Sequence, residues 1–299
     1  MTDRDTTSEP TGAARQTERY DHLDFDPDEV PIRPAATVML VDDRPDLHVL
    51  MLRKTPRTVF AGGMWVFPGG AVDAADRIDE LEAVCEGRTD HAASQELDVD
   101  RGGLAYWVAA LRETFEEAGV LLTARPRPHE VVDALGPRLR EHRHRLNAGE
   151  VDFVDLIEAE DLLLDTSSVH YTARWVTPVG SPRRFDARFF VAGMPPGQTP
   201  VRDEGETIDE AWFRPAEALH QWREGHITMM SPTVRMLTSL SRFDSAAHVL
   251  EAGATDLPDE RARVIDPDGD YHVVLPGDPG YEEAEREVES GWVRLRPLR

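Results

Sequence analysis

The sequence predicts an α/β fold, and three observations carry that expectation. Residues 35–41 and 47–53 are apolar runs separated by the turn cluster Asp42-Asp43-Arg44-Pro45-Asp46, the pattern of a β-hairpin. Residues 104–118 carry apolar side chains at the spacing of one helix face. Strand-like runs return at residues 170–177 and 183–192, joined by the Pro- and Gly-containing segment 178–182. Strands on both sides of a long helix imply a sheet with helices layered on it.

Taken in order, residues 1–30 are polar and acidic, with few apolar side chains to bury, and are expected to form a disordered arm. The main domain is expected over residues 31–245. After the hairpin, Arg53, Lys54 and Arg57 cluster just ahead of a glycine-rich stretch, residues 61–70, where the chain can turn sharply and approach a ligand. Each of these cations is equally read as a solvated loop charge. Residues 77–103 are acidic and glycine-punctuated and are expected to be a surface excursion. Residues 126–166 read as a helical insertion or cap, within which Arg138 to Arg145 form a basic run better suited to a solvated helix face than to an anion site. His142 and His144 are two apart and do not share a helix face as metal ligands would. Residues 201–212 are an acidic loop running into a strand, a helix starts at Arg214, and residues 246–299 are expected to be an extension packed on the core.

The helix at 104–118 has two faces. Leu104, Trp107, Val108, Leu111, Phe115 and Ala118 lie on one stripe, and Glu113, Glu116 and Glu117 gather opposite. Gly119 stands where a left-handed cap would end the helix, and residues 120–122 look like a short strand leaving it. Three carboxylates at this spacing repel one another unless a cation sits among them, and oxygen ligands of this kind suit Mg²⁺. The helix alone leaves open a solvated acidic face with an Arg112–Glu116 pair.

Composition narrows the classes. A chain of 299 residues, 40% hydrophobic, can bury a sizeable core. It has no apolar run long enough to span a bilayer and no hydrophobic leader at its start, so a cytoplasmic location is expected. A net charge of −24 argues against nucleic acid or an anionic membrane surface as a partner. Cys85 is the only cysteine, which excludes an internal disulfide, and it reads as an inert thiol. Lys54 is the only lysine, the remaining basic side chains being arginine and histidine.

Two segments resemble the halves of the Nudix box. Pro68-Gly69-Gly70 matches the first half, and Arg112-Glu113-Thr114-Phe115-Glu116-Glu117-Ala118-Gly119-Val120 matches the second, with Thr114 at an aliphatic position. Asp76 stands where the family has its first Glu, and residues 77–111 separate it from Arg112 where the family has seven residues. The segments Trp175-Val176-Thr177-Pro178, Arg184 to Phe190 and Leu275 to Tyr281 are similar to the coenzyme A and acyl-coenzyme A diphosphatase branch, whose members include chains with an interrupted box. That branch expects a His-x-Gly element ahead of Pro-Gly-Gly, where this chain has Ala61-Gly62-Gly63-Met64.

The resemblance implies an α/β/α sandwich around a mixed sheet. It implies an enzyme in which Glu113, Glu116 and Glu117 hold Mg²⁺ or Mn²⁺, Arg112 orients a carboxylate, Asp76 among the candidates, and the Gly70 carbonyl completes the shell. Arg53, Arg57, Gly69 and Gly70 would contact a small nucleotide diphosphate. A base is sought in Glu113, Glu204 or Glu206. The implied reaction is metal-dependent hydrolysis of a diphosphate linkage in coenzyme A or acyl-coenzyme A. An ADP-ribose or NADH pyrophosphatase and a non-catalytic nucleotide-binding regulator stand beside it.

Overall fold

The computed structural model describes residues 25–58, 61–76, 81–125, 128–203, 205–265, 272–284 and 286–298. The expected arm therefore lies, for residues 1–24, outside the described residues. In chain order the strands are β1 (Ile32–Asp43), β2 (Leu47–Lys54), β3 (Trp65–Val66), β4 (Gly69–Ala71), β5 (Cys85–Glu86), β6 (Thr123–Arg125), β7 (Leu163–Asp165), β8 (His170–Val176), β9 (Arg184–Gly193), β10 (Thr207–Phe213), β11 (Glu260–Ile265), β12 (His272–Val274) and β13 (Arg286–Val293). The helices are α1 (Asp90–Leu97), α2 (Leu104–Ala118), α3 (Pro128–Asn147), α4 (Phe153–Ala159), α5 (Pro215–Arg223), α6 (Ser231–Leu240) and α7 (Ala246–Ala254).

The hairpin forms as expected, with Asp43 opposite Leu47. β1 is central: it pairs antiparallel with β2 and parallel with β9, from Ile32 beside Arg184 to Val41 beside Gly193. The main sheet runs β10-β2-β1-β9-β8-β13-β11-β12, with β3 on β2 and β4 on β1. It is mixed, and it is covered on both faces. Ala36, Val38 and Leu40 pack with α2, whereas Met39 and Val41 pack with residues of α5, α6 and α7. Burial on both sides is why β1 reads as an unbroken apolar run instead of an alternating one.

α2 is nearly enclosed. Trp107 meets Phe190 edge-on at 4.7 Å between ring centroids, and its indole N–H donates to the Val169 carbonyl at 2.8 Å. A buried indole of this kind contributes about 3 kcal/mol in apolar area alone. The helix ends at Gly119 in the left-handed region, φ 67°, with its N–H donating to the Phe115 carbonyl. Residues 120–122 do not form the expected strand. The side-chain amide of Gln198 instead bonds both the N–H and the C=O of Leu121, at 2.9 and 2.7 Å, and strand pairing starts only at Thr123.

The segment within 77–103 is not the expected surface excursion. Leu81, Val84, Ala93 and Leu97 are buried in the same core as α2. Gly103 gives α2 no side-chain cap, and the inserted helix supplies one: Asp90 accepts from the N–H of Gly102 at 3.0 Å and of Leu104 at 2.9 Å, while Ser94 Oγ accepts from Gly103 at 2.9 Å. β5, from the same segment, pairs parallel with β7, which follows the helical insertion α3–α4. Residues after 245 are built into the sheet itself, with β13 pairing β8 at Gly291 opposite Trp175.

Candidate active site

The Pro-Gly-Gly turn and the acidic side of α2 meet because β4 lies on β1. Gly70 pairs with Ala36 and Gly69 with Thr37, on the sheet face that α2 covers. A Cβ at Gly69 would collide with the backbone of Ala36 and Thr37, so the close approach requires glycine there, and a Cβ at Gly70 would displace the Glu113 carboxylate. The Gly69 N–H donates to Glu117 Oε2 at 3.2 Å.

Arg112 joins the two halves across the insertion. Its Nε and Nη2 each reach Asp76 at 2.8 Å in a two-pronged pair, Nη1 donates to Glu113 at 2.9 Å and Glu116 at 3.1 Å, and Nη2 also reaches the Ala71 carbonyl at 2.9 Å. Asp76 is 1% exposed. The shorter acid thus serves the guanidinium directly, in a 3₁₀ turn at Ala74–Asp76.

The acidic side of α2 is not solvated. Glu113 and Glu117 are buried and Glu116 is half-buried. Burial, then the neighbouring Glu117 charge, pushes the Glu113 carboxyl up to about 8 against the pull of Arg112. Burial also raises Glu116 against Arg112, and Glu117 against Lys54. Lys54 Nζ bonds Glu117 Oε1 and, at 3.1 Å, Glu206 Oε2. Burial alone would lower the pKa of Lys54, but its two carboxylate partners raise it.

The loop that carries Glu206 is tied to the last turn of α2. Val201 and Asp203 donate backbone N–H groups to the carbonyls of Ala118 and Glu117, at 2.8 and 2.9 Å. From the helical insertion, Arg143 Nε and Asn147 Nδ2 donate to the Glu116 carbonyl, at 2.8 and 3.3 Å, and Asn147 also reaches Asp203. The Arg143 side chain, from a run read as solvated, is therefore fixed at the helix C-terminus, where a cation is favoured.

The fold gathers Arg112, Asp76, Glu113, Glu116, Glu117, Gly69 and Gly70 in one place, with Lys54 and Glu206 beside them. Arg53 and Arg57 are exposed and lie outside this network, Arg53 donating instead to the Gly63 carbonyl at 3.3 Å. The reason is strand alternation: Arg53 shares its face with Val49 and Met51 on the far side of the sheet, while Lys54 shares that of Leu50, towards α2. Glu204 lies outside the described residues. Cys85 stays apart from the site, its thiol pushed up to about 12 by burial and by Glu82.

Among the described residues no three acidic, histidine or cysteine side chains are gathered as a ready cation cage. The carboxylates are turned towards Arg112 and Lys54. Their chemistry nonetheless fits a divalent ion: the donors are all hard oxygens, crowded and largely buried, and a single side-chain ammonium already bridges Glu117 and Glu206. Among the described residues no helix is long and apolar enough to cross a membrane.

The comparisons agree with this geometry. Residues 88–240, just over half of the chain, match the NUDT19 Nudix domain. The acyl-coenzyme A diphosphatase NUDT19 of Homo sapiens is 29% identical over 81% of this chain and 74% of its own length. That of Gallus gallus is also 29% identical, over 84% and 80%. A crystal structure of a Nudix hydrolase from Alicyclobacillus acidocaldarius, 26% identical, superposes with a TM-score of 0.61 over 75% of this chain and 97% of that one. With a sandwich around a mixed sheet, a glutamate helix against a Pro-Gly-Gly turn and a domain match of this extent, the chain belongs to the NUDT19 Nudix domain family and is a Nudix hydrolase.

Proposed function

We propose that the protein hydrolyses the diphosphate linkage of coenzyme A or acyl-coenzyme A, yielding adenosine 3′,5′-bisphosphate and a phosphopantetheine. The observation that carries the reading is the contact of Glu113 and Glu117 with the Gly69–Gly70 turn, in a chain similar to two proteins named acyl-coenzyme A diphosphatase. Glu113, Glu116 and Glu117 would hold Mg²⁺ or Mn²⁺. When bound, the ion supplies charge neutralisation at the diphosphate and a more acidic water.

The chain's own residues do the remainder. Arg112 fixes the carboxylates of Glu113 and Glu116 and is itself held by Asp76. The Gly70 backbone, having no side chain, lets the Glu113 carboxylate lie directly against the turn. Glu113 from the helix, held by Arg112, and Glu206 from the loop, held by Lys54, are the two candidates among the described residues to take the proton of the attacking water.

Incubation with coenzyme A, an acyl-coenzyme A, ADP-ribose and NADH in Mg²⁺ or Mn²⁺, read by mass spectrometry, tests the substrate. Phosphopantetheine release is expected. Hydrolysis of ADP-ribose or NADH with none of coenzyme A or its thioester would transfer the assignment to those nucleotides. A Glu116→Gln variant with unchanged turnover would contradict a catalytic ion on this helix.

A further inference from the structure

The only lysine of this chain sits in the candidate site. Lys54 ends β2 on the face that meets α2, its side chain is 12% exposed, and its ammonium joins Glu117 of the helix to Glu206 of the loop that follows β9. The neighbouring cation is built differently. Arg112 has its guanidinium bonded to Asp76, Glu113, Glu116 and the Ala71 carbonyl, a planar fork that holds several partners in a fixed relation. Lysine is a compact point charge on a flexible stem, able to swing off one partner without disturbing a second bond in the same plane.

Resting on the reading that Glu117 is a divalent-ion ligand, we propose that Lys54 is a tethered cation that competes with that ion for Glu117 and Glu206. An ammonium and a divalent ion on the one Glu117 oxygen would be two positive charges a few ångströms apart in a partly buried site, and their repulsion sets them in competition. Uptake of the ion therefore expels the Lys54 ammonium from Glu117 and frees the Glu206 carboxylate in the same step, while the backbone bonds of Val201 and Asp203 keep the loop on α2. In the absence of the ion, Lys54 spares the buried Glu117 from standing unpaired. It is a positioning residue, and it makes ion affinity lower than the carboxylates alone would give.

Mn²⁺ titration of the full chain, followed by the electron paramagnetic resonance of the free ion, tests this with wild type and Lys54→Met. The variant is expected to bind roughly fivefold tighter or more, and to melt at a lower temperature than wild type in chelator, the gap narrowing when Mn²⁺ is added. Equal or weaker binding by a folded Lys54→Met overturns the inference while leaving the metal-site reading standing. A wild-type chain that takes up no Mn²⁺ overturns both.

If Lys54→Met does not fold, amine acetylation of the wild-type chain decides. The Lys54 peptide, told from the N-terminal amine by mass spectrometry, is expected to label several times faster with Mg²⁺ than with chelator. An unchanged labelling rate in Mg²⁺ overturns the proposal.

Discussion

Arg112 is a residue whose loss the fold tolerates poorly. It holds Asp76, which is 1% exposed, so Arg112→Met would leave a buried carboxylate uncompensated. A loss of about 3–5 kcal/mol is expected, measured by urea unfolding. Glu113 gives a pH signature. Its carboxyl is pushed up to about 8 by burial and by Glu117. A group with a raised folded-state pKa stabilises fully below its unfolded value, and that stability is lost as pH rises through the folded value. In chelator, the melting temperature should therefore fall from pH 5 towards and past about 8, and Glu113→Gln should flatten the fall. A pH-independent melting curve for the metal-free chain would show that this carboxyl is already ionised. Much of this was legible residue by residue, since Glu113, Glu116, Glu117 and Gly70 stand where the box resemblance implied. Composition groups Lys54 with Arg53 and Arg57, and only alternation along β2 from Leu50 turns it, alone of the three, towards the helix.

At the level of the element, the metal-binding candidate helix depends on a partner that its own sequence does not advertise. α2 begins at Gly103 and Leu104, without a capping side chain, and borrows Asp90 and Ser94 from α1. Asp90→Ala should cost about 1–2 kcal/mol, the size of a lost N-cap, even though residue 90 lies outside the site. Thermal unfolding checks it, and an unchanged melting temperature would show that water replaces the carboxylate there. Helical period placed α2 correctly, and Gly119 marked its end. What the period could not say is that the acidic side would also be enclosed, because the Pro-Gly-Gly turn, the Glu206 loop and Arg143 cover it from segments far away in the chain. Nor could local pattern distinguish a strand at residues 120–122 from a strand-like run satisfied by the amide of Gln198.

At the level of the whole molecule, the sheet does not close at residue 245. β13 and β11 continue it from β8, and Ala262, Val293 and Leu295 are buried in the core that also holds α6 and α7. A chain ended at residue 258 would bare the edge of β8 together with part of that core. It is expected to aggregate or to melt well below the full chain, measured by size-exclusion chromatography and calorimetry; a monodisperse truncation of equal stability would make the last strands dispensable. The arrangement as a sandwich came only from the resemblance to the Nudix box, whereas the hairpin, the helix and the returning strands were readable from local pattern. The terminal strands were not, since acidic residues and turns interrupt their apolar positions. The Asp90 cap carries a consequence for anyone who would move this chemistry elsewhere. A Pro-Gly-Gly turn and a glutamate helix grafted alone into a new scaffold would arrive without their fastening, so the smallest portable unit is the turn, the helix and residues 81–103 between them.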